Sequence, residues 1–412
     1  MKKILFVGPY PPPFGGIASH LRDLLPQLVK HNHKVLSLTW SDNNRINLND
    51  GFKNLYSSPK IFFYKNMLYV FIHFIQCLLY KKDANIYALF KSVNNACLIN
   101  KVCEKEGISS IFIYDNENGM VIPILKKHFK INCPIAFMIF GDFYLRPDYY
   151  KSQSSYFYDV LNQSDYILSS SQYCADSIPK VLGHNDLKGK VIYVGVDHNT
   201  YSPKISNNEL RAKLEIPSNA IVLLFLGRMV KEMGLDFILK NIDKILNVDR
   251  NLYLIIAGAE GNLSQQVKQY ANNNIRVIYC PNVPFEKKSE YYLASDVIIA
   301  PSMEKHACMG VTIKEAMACA KPVIASTSGG IPEAIEDGVN GYLIPIKHGN
   351  LDVEIFLKKT KYLLDNPTIS KQMGETGRTK VLKTFTNEKT TQKYLNLLKI
   401  MLQDSKYIDT EK

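Results

Sequence analysis

The chain has 412 residues, 46% of them hydrophobic, with a formal net charge of +12 at pH 7. That length predicts two domains of roughly 200 residues, each with a full core. A basic surface suits anionic nucleotides, an anionic membrane or nucleic acid, but no zinc-finger spacing or arginine-rich run supports nucleic acid, which we exclude as a partner. Eight scattered cysteines, with no C-x-x-C, predict reduced and mostly buried thiols in a cytoplasmic protein.

The opening MKKILFVGPYPPP is too short and too quickly broken by prolines for a signal peptide. Residues Lys2 to Gly8 read as a first strand, followed by a glycine-bearing loop, a helix (LRDLLPQLVKHNH) and a second strand, Lys34 to Thr39. Gly15 and Gly16 in that loop let backbone approach a ligand closely. Residues 61–80 form the most apolar segment. On a helix, Lys65, Asn66, Tyr69, His73, Gln76 and Tyr80 fall in one narrow sector. This fits a core helix, a surface helix dipping into a membrane beside Lys60, Lys81 and Lys82, or, as a third alternative, a helix that spans the bilayer. Strands are predicted at Ser109–Tyr114, Ile135–Phe140 and Asp165–Ser170. Asp115, Glu117 and Asp142, at the ends of the first two, are polar candidates for chemistry.

The second half opens on the buried strand Ala220–Leu226, which meets Gly227 and Arg228. Lys231 and Gly234 then open a helix. Further strands are predicted at Leu252–Ala257, Arg276–Tyr279 and Val297–Ala300. A loop, the helix-forming run GVTIKEAMACA and a strand, Pro322–Ser326, follow. Gly329-Gly330 turns the chain into another helix, with Pro332 in its first turn. Two helix N-termini thus stand at the carboxyl ends of neighbouring parallel strands, where open α/β sheets bind ligands. Free N–H groups there favour a phosphate. Glu315 lies one turn inside, on the face of Val311 and Thr312, where a carboxylate accepts hydrogen bonds from both hydroxyls of a ribose. The stretch reads as a pocket for a nucleotide diphosphate.

Glu315-Ala-Met-Ala-Cys-Ala-Lys-Pro-Val-Ile324 and Gly329-Gly-Ile-Pro-Glu333 resemble the donor-binding core of retaining glycosyltransferases of family 4, the GT-B type of glycosyltransferase group 1. The resemblance runs through almost the whole chain, strongest from 191 to 345 and weakest from 41 to 185. It implies an α/β fold of two facing Rossmann-like domains with parallel sheets and an interdomain cleft. The acceptor domain would span 1–190, the donor domain 191–385, and residues 386–412 would return as a helix to the first domain.

By the same resemblance, Gly16, Gly227, Arg228, Lys231, Val283, Met309, Gly310, Val311, Thr312 and Glu315 bind the donor, and Gly15, Gly16 and Asp142 face the acceptor. Three positions depart from the family. Ala307 stands where the first glutamate of its Glu-x7-Glu pattern belongs, Met233 where a lysine precedes Gly234, and Phe140 where a histidine precedes Gly141. Glu304 is expected to replace the missing glutamate at the donor sugar. Arg228, Lys231, Glu304 and Asp142 form the expected catalytic set.

The implied reaction moves a sugar from a nucleotide diphosphate to an acceptor hydroxyl with retention. The departing phosphate takes the acceptor's proton. No D-x-D stretch is present to hold a metal, so no cofactor is expected beyond the nucleotide sugar itself. The expected acceptor is a lipid-linked glycan at the inner face of the cytoplasmic membrane. A catalytically idle scaffold or regulatory subunit, and a nucleotide-sugar epimerase, are the alternatives.

Overall fold

The computed structural model describes residues 2–9, 16–39, 52–56, 75, 86–114, 116–203, 208–305 and 307–403. The apolar segment 61–80, apart from Ile75, lies outside them, as do Lys60, Lys81, Lys82, Gly15, Asp115 and His306. The chain divides into two compact α/β units: Met1–Val194 with Asn387–Lys412, and Gly195–Thr386. Among the described residues no helix is long and apolar enough to cross a membrane.

The first unit is built on a seven-stranded parallel sheet. Its strands are β1 (Lys3–Val7), β2 (Lys34–Thr39), β3 (Phe52–Tyr56), β4 (Ser110–Tyr114), β5 (Ile135–Ile139), β6 (Tyr166–Ser169) and β7 (Lys190–Val191), in the order β3-β2-β1-β4-β5-β6-β7. β1, β4 and β5 are short apolar runs, as strands covered on both faces must be. The edge strand β3, sequence FKNLY, has no such signature and was not predicted. Neither was the long helix Ile86–Glu106.

The last helix, Asn387–Gln403, belongs to this unit, with Tyr394, Leu397, Leu398 and Met401 buried. The Tyr114 hydroxyl donates to the Tyr394 hydroxyl at 2.8 Å, and His20 Nε2 lies 3.3 Å from the same oxygen. A strand, the first helix (Gly16–Lys30) and the last helix therefore share one buried polar contact, which fixes their register.

The second unit holds a six-stranded parallel sheet. Its strands are β8 (Ile221–Leu226), β9 (Leu252–Gly258), β10 (Val277–Pro281), β11 (Val297–Ala300), β12 (Val323–Ser326) and β13 (Tyr342–Ile344), in the order β10-β9-β8-β11-β12-β13. Its entry and exit lie side by side: the Val196 N–H donates to the Phe385 carbonyl at 2.9 Å. In each sheet the strand order reverses once, between β1 and β4 and between β8 and β11. Such reversal points leave a crevice at the carboxyl ends of the strands, and most of the predicted donor residues cluster at the one in the second unit.

Candidate active site

β8 delivers Gly227 and Arg228 to the crevice, and β11 delivers Pro301 to Glu304. A 3-10 turn, Lys231–Met233, follows Arg228 and ends at Gly234, whose φ is +76°. A side chain there would be strained by the backbone and would overlap the Pro301 carbonyl. The two loops therefore pack backbone to backbone, with the Met303 N–H donating to the Glu232 carbonyl at 2.8 Å. Across the crevice Arg228 Nη2 donates to Glu304 Oε1 at 2.7 Å. The arginine side chain is 58% exposed and the glutamate 12%, so the guanidinium is the partner with room to move.

The helix Val311–Ala318 begins at Gly310, which offers no side-chain oxygen to the first-turn N–H groups. Those donors, and the positive end of the helix, are set for an anion. Several bonds fasten the loop that precedes the helix. The Ser326 hydroxyl donates to the Ser302 carbonyl at 2.5 Å, the Ser328 hydroxyl to the Glu304 carbonyl at 2.8 Å, and the Gly330 N–H to the Ala307 carbonyl at 2.9 Å. A methyl on Gly330 would overlap the Cys308 carbonyl, so this turn requires glycine. At the far end of the helix, Arg378 donates to the Ala318 carbonyl and, at 3.3 Å, to the Tyr201 carbonyl. A cation at a helix C-terminus is favourable, and it pins the helix that carries Glu315.

Glu315 already has partners within its own unit. It is 1% exposed, and its Oε2 accepts from Lys288 Nζ at 2.5 Å and from the Tyr292 hydroxyl at 2.7 Å. Burial, then the Glu315 charge, hold the Tyr292 hydroxyl well above its ordinary pKa. Both bonds fall on one oxygen, and Oε1 takes no donor among the described residues. Glu304 likewise is engaged, by Arg228, rather than standing alone over the pocket. No motif or spacing in the sequence points to Lys288, Tyr292 or Arg378. Lys288 and Tyr292 are four apart on one helix face, but the partner they share lies on another helix. Lys314, on the same helix as Glu315, is also buried, with its ammonium 5.8 Å from the Phe385 ring. Burial pushes its pKa down to about 8.

The other predicted residues are placed as follows. Gly227 is half-buried and Lys231 exposed on the 3-10 turn. Met309 is buried, Gly310, Val311 and Thr312 are half-buried at the helix start, and Val283 is half-buried after β10. In the first unit, Gly16 is the first residue of its helix, and a Cβ added to it meets nothing within 4 Å. Asp142 opens the short helix Asp142–Leu145 after β5, and Phe140 is buried, its ring 6.1 Å from that of Tyr114. Glu117 is exposed and paired with Lys91 at 3.3 Å. Among the described residues no group of three or more His, Cys, Asp or Glu side chains is placed to hold a metal.

Residues 206–380 match the family model described as glycosyl transferases group 1. The chain is 27% identical over 381 residues to an uncharacterized glycosyltransferase of Methanocaldococcus jannaschii, covering 91% of this chain and 92% of that one. Among solved structures, sucrose-phosphate synthase from Thermosynechococcus elongatus superposes with a TM-score of 0.77 at 17% identity, covering 97% of this chain and 98% of the other. HepE from Anabaena, in complex with UDP, superposes at 0.72 with 17% identity, over 97% and 100%. These two likenesses establish the two-domain α/β architecture.

Proposed function

We propose that this chain, a glycosyltransferase whose residues 206–380 match the group 1 family model, moves a sugar from a uridine diphosphate donor to a hydroxyl of a glycan acceptor, with retention at the anomeric carbon. The observation that carries the reading is the Arg228–Glu304 pair at 2.7 Å, set at the reversal point near a helix start with no side-chain cap. Uridine is chosen because HepE binds UDP. The diphosphate meets the N–H groups at Gly310 to Thr312 and draws Arg228 from Glu304, with Lys231 adding a second cation. Their charge stabilises the departing phosphate, which takes the acceptor's proton. Glu315 Oε1 receives the ribose hydroxyls while Oε2 stays with Lys288 and Tyr292. The net charge of +12 supports an acceptor held at an anionic membrane surface, a lipid-linked glycan.

The direct test is thermal shift with UDP, GDP and ADP. At 100 times its dissociation constant the right diphosphate stabilises by about 2.7 kcal/mol. No stabilisation by any of the three would refute the reading.

Two further results are expected. Turnover persists in EDTA, since Arg228, Lys231 and the helix start carry the charge that a metal would otherwise carry; loss in chelator with rescue by manganese would contradict this. Glu304→Ala keeps or tightens binding of bare UDP, because Arg228 is released. It lowers kcat/KM for transfer by roughly ten- to hundredfold, the loss of about 1.5–3 kcal/mol for one charged hydrogen bond to the sugar. Wild-type turnover in this variant would remove Glu304 from the sugar site.

A further inference from the structure

The carboxyl ends of β8 and β11 enclose a cavity of about 60 Å³. Ile299 and Ile331, both 1% exposed, line its inner side. Met233, Ala307, Glu304 and Thr312, all partly exposed, line its outer side. Two of the three positions where the sequence departs from its family therefore face one space, and both departures put apolar side chains there. This small chamber adjoins the start of the Val311–Ala318 helix, where the diphosphate would sit.

Resting on the donor reading above, we infer that this cavity receives the 2-acetamido group of an N-acetylated donor sugar. The carbon at position 2 is bonded to the anomeric carbon that carries the phosphate. Its substituent is thus within reach of the helix start. A hydroxyl pressed against Met233, Ala307 and the isoleucines loses water and gains no partner from those side chains. A methyl in the same place is favoured. The rim adds what an amide requires. The Glu304 carboxylate accepts the amide N–H in exchange for Arg228, which the diphosphate draws away. The Thr312 hydroxyl donates to the amide carbonyl. A 2-hydroxyl leaves the chamber unfilled, and a bare methyl offers Glu304 and Thr312 no amide.

Calorimetry with UDP, UDP-glucose and UDP-N-acetylglucosamine, and with the matching galactose pair, tests this. The N-acetylated member of at least one pair should bind about ten- to hundredfold more tightly. Ala307→Leu fills the chamber; it should abolish that preference and leave UDP affinity within a factor of two or so of wild type, which also reports on folding. Met233→Lys, which puts an ammonium at the chamber wall, should likewise reduce the preference. If UDP binds but neither pair is distinguished, or if Ala307→Leu retains the preference, the inference is overturned. If UDP itself does not bind, the uridine donor is wrong and this inference falls with it.

Discussion

Gly234→Ala is expected to destabilise the second unit by about 2–5 kcal/mol and to remove nucleotide binding. Two effects add. The φ of +76° is a left-handed conformation, which costs an L-residue about 1–2 kcal/mol. The new methyl also meets the Pro301 carbonyl, a backbone atom that moves only if the whole loop moves, and overpacking of that kind costs about 1–3 kcal/mol. Relief of the overlap pushes the β8 loop from the β11 loop. That moves Arg228 and Lys231 away from the start of the Val311–Ala318 helix and disperses the anion site. Chemical denaturation gives the stability and calorimetry the affinity. Alanine tolerated with wild-type stability and UDP affinity would show that the two loops are not packed as described.

Glu315→Gln is expected to lower both stability and donor affinity, by separate routes. The amide leaves the Lys288 ammonium, 18% exposed, without its counter-charge. Removing one partner from a buried pair costs about 3–5 kcal/mol, and an amide that still accepts a hydrogen bond should hold the loss near the lower end. In a domain of this size that is a fall of roughly 6–12 °C in the unfolding midpoint. Affinity for UDP should fall roughly tenfold or more through the ribose contact. Adding Lys288→Met separates the two, since an apolar replacement for a broken pair restores stability. The double variant should regain the midpoint but not the affinity. If affinity recovers with stability, Glu315 only holds the fold and does not touch the ribose.

The donor half was the more legible part of the sequence for physical reasons. β8 and β11 are unbroken apolar runs because both faces of a parallel sheet are covered, and glycines follow the carboxyl ends of β8 and β12. The first unit after β2 was less legible. β3 mixes Lys53 and Asn54 with its apolar residues, as an edge strand can. Several helices between Asp142 and Leu182 have six residues or fewer, too short to display a period. The pairing of site residues was hidden for another reason. Arg228 and Glu304 are 76 positions apart, and Lys288 and Glu315 are 27 apart. No local pattern states that Glu315 is already shared with a lysine and a tyrosine. The residue types and strand ends were legible; which carboxylate oxygen was left for a ligand was not.

The hydrogen bond from Val196 to Phe385 has a consequence for how this chain is assembled. The donor unit enters and leaves through one pair of adjacent residues, as a cassette does. Its excision leaves two nearby ends that a short linker can rejoin, and its own ends are close enough to be fused without strain. A segment of residues 195–386 is therefore a natural unit of exchange. Grafted between the same two points of a relative, it would carry its choice of donor with it and leave the recipient's own choice of acceptor in place.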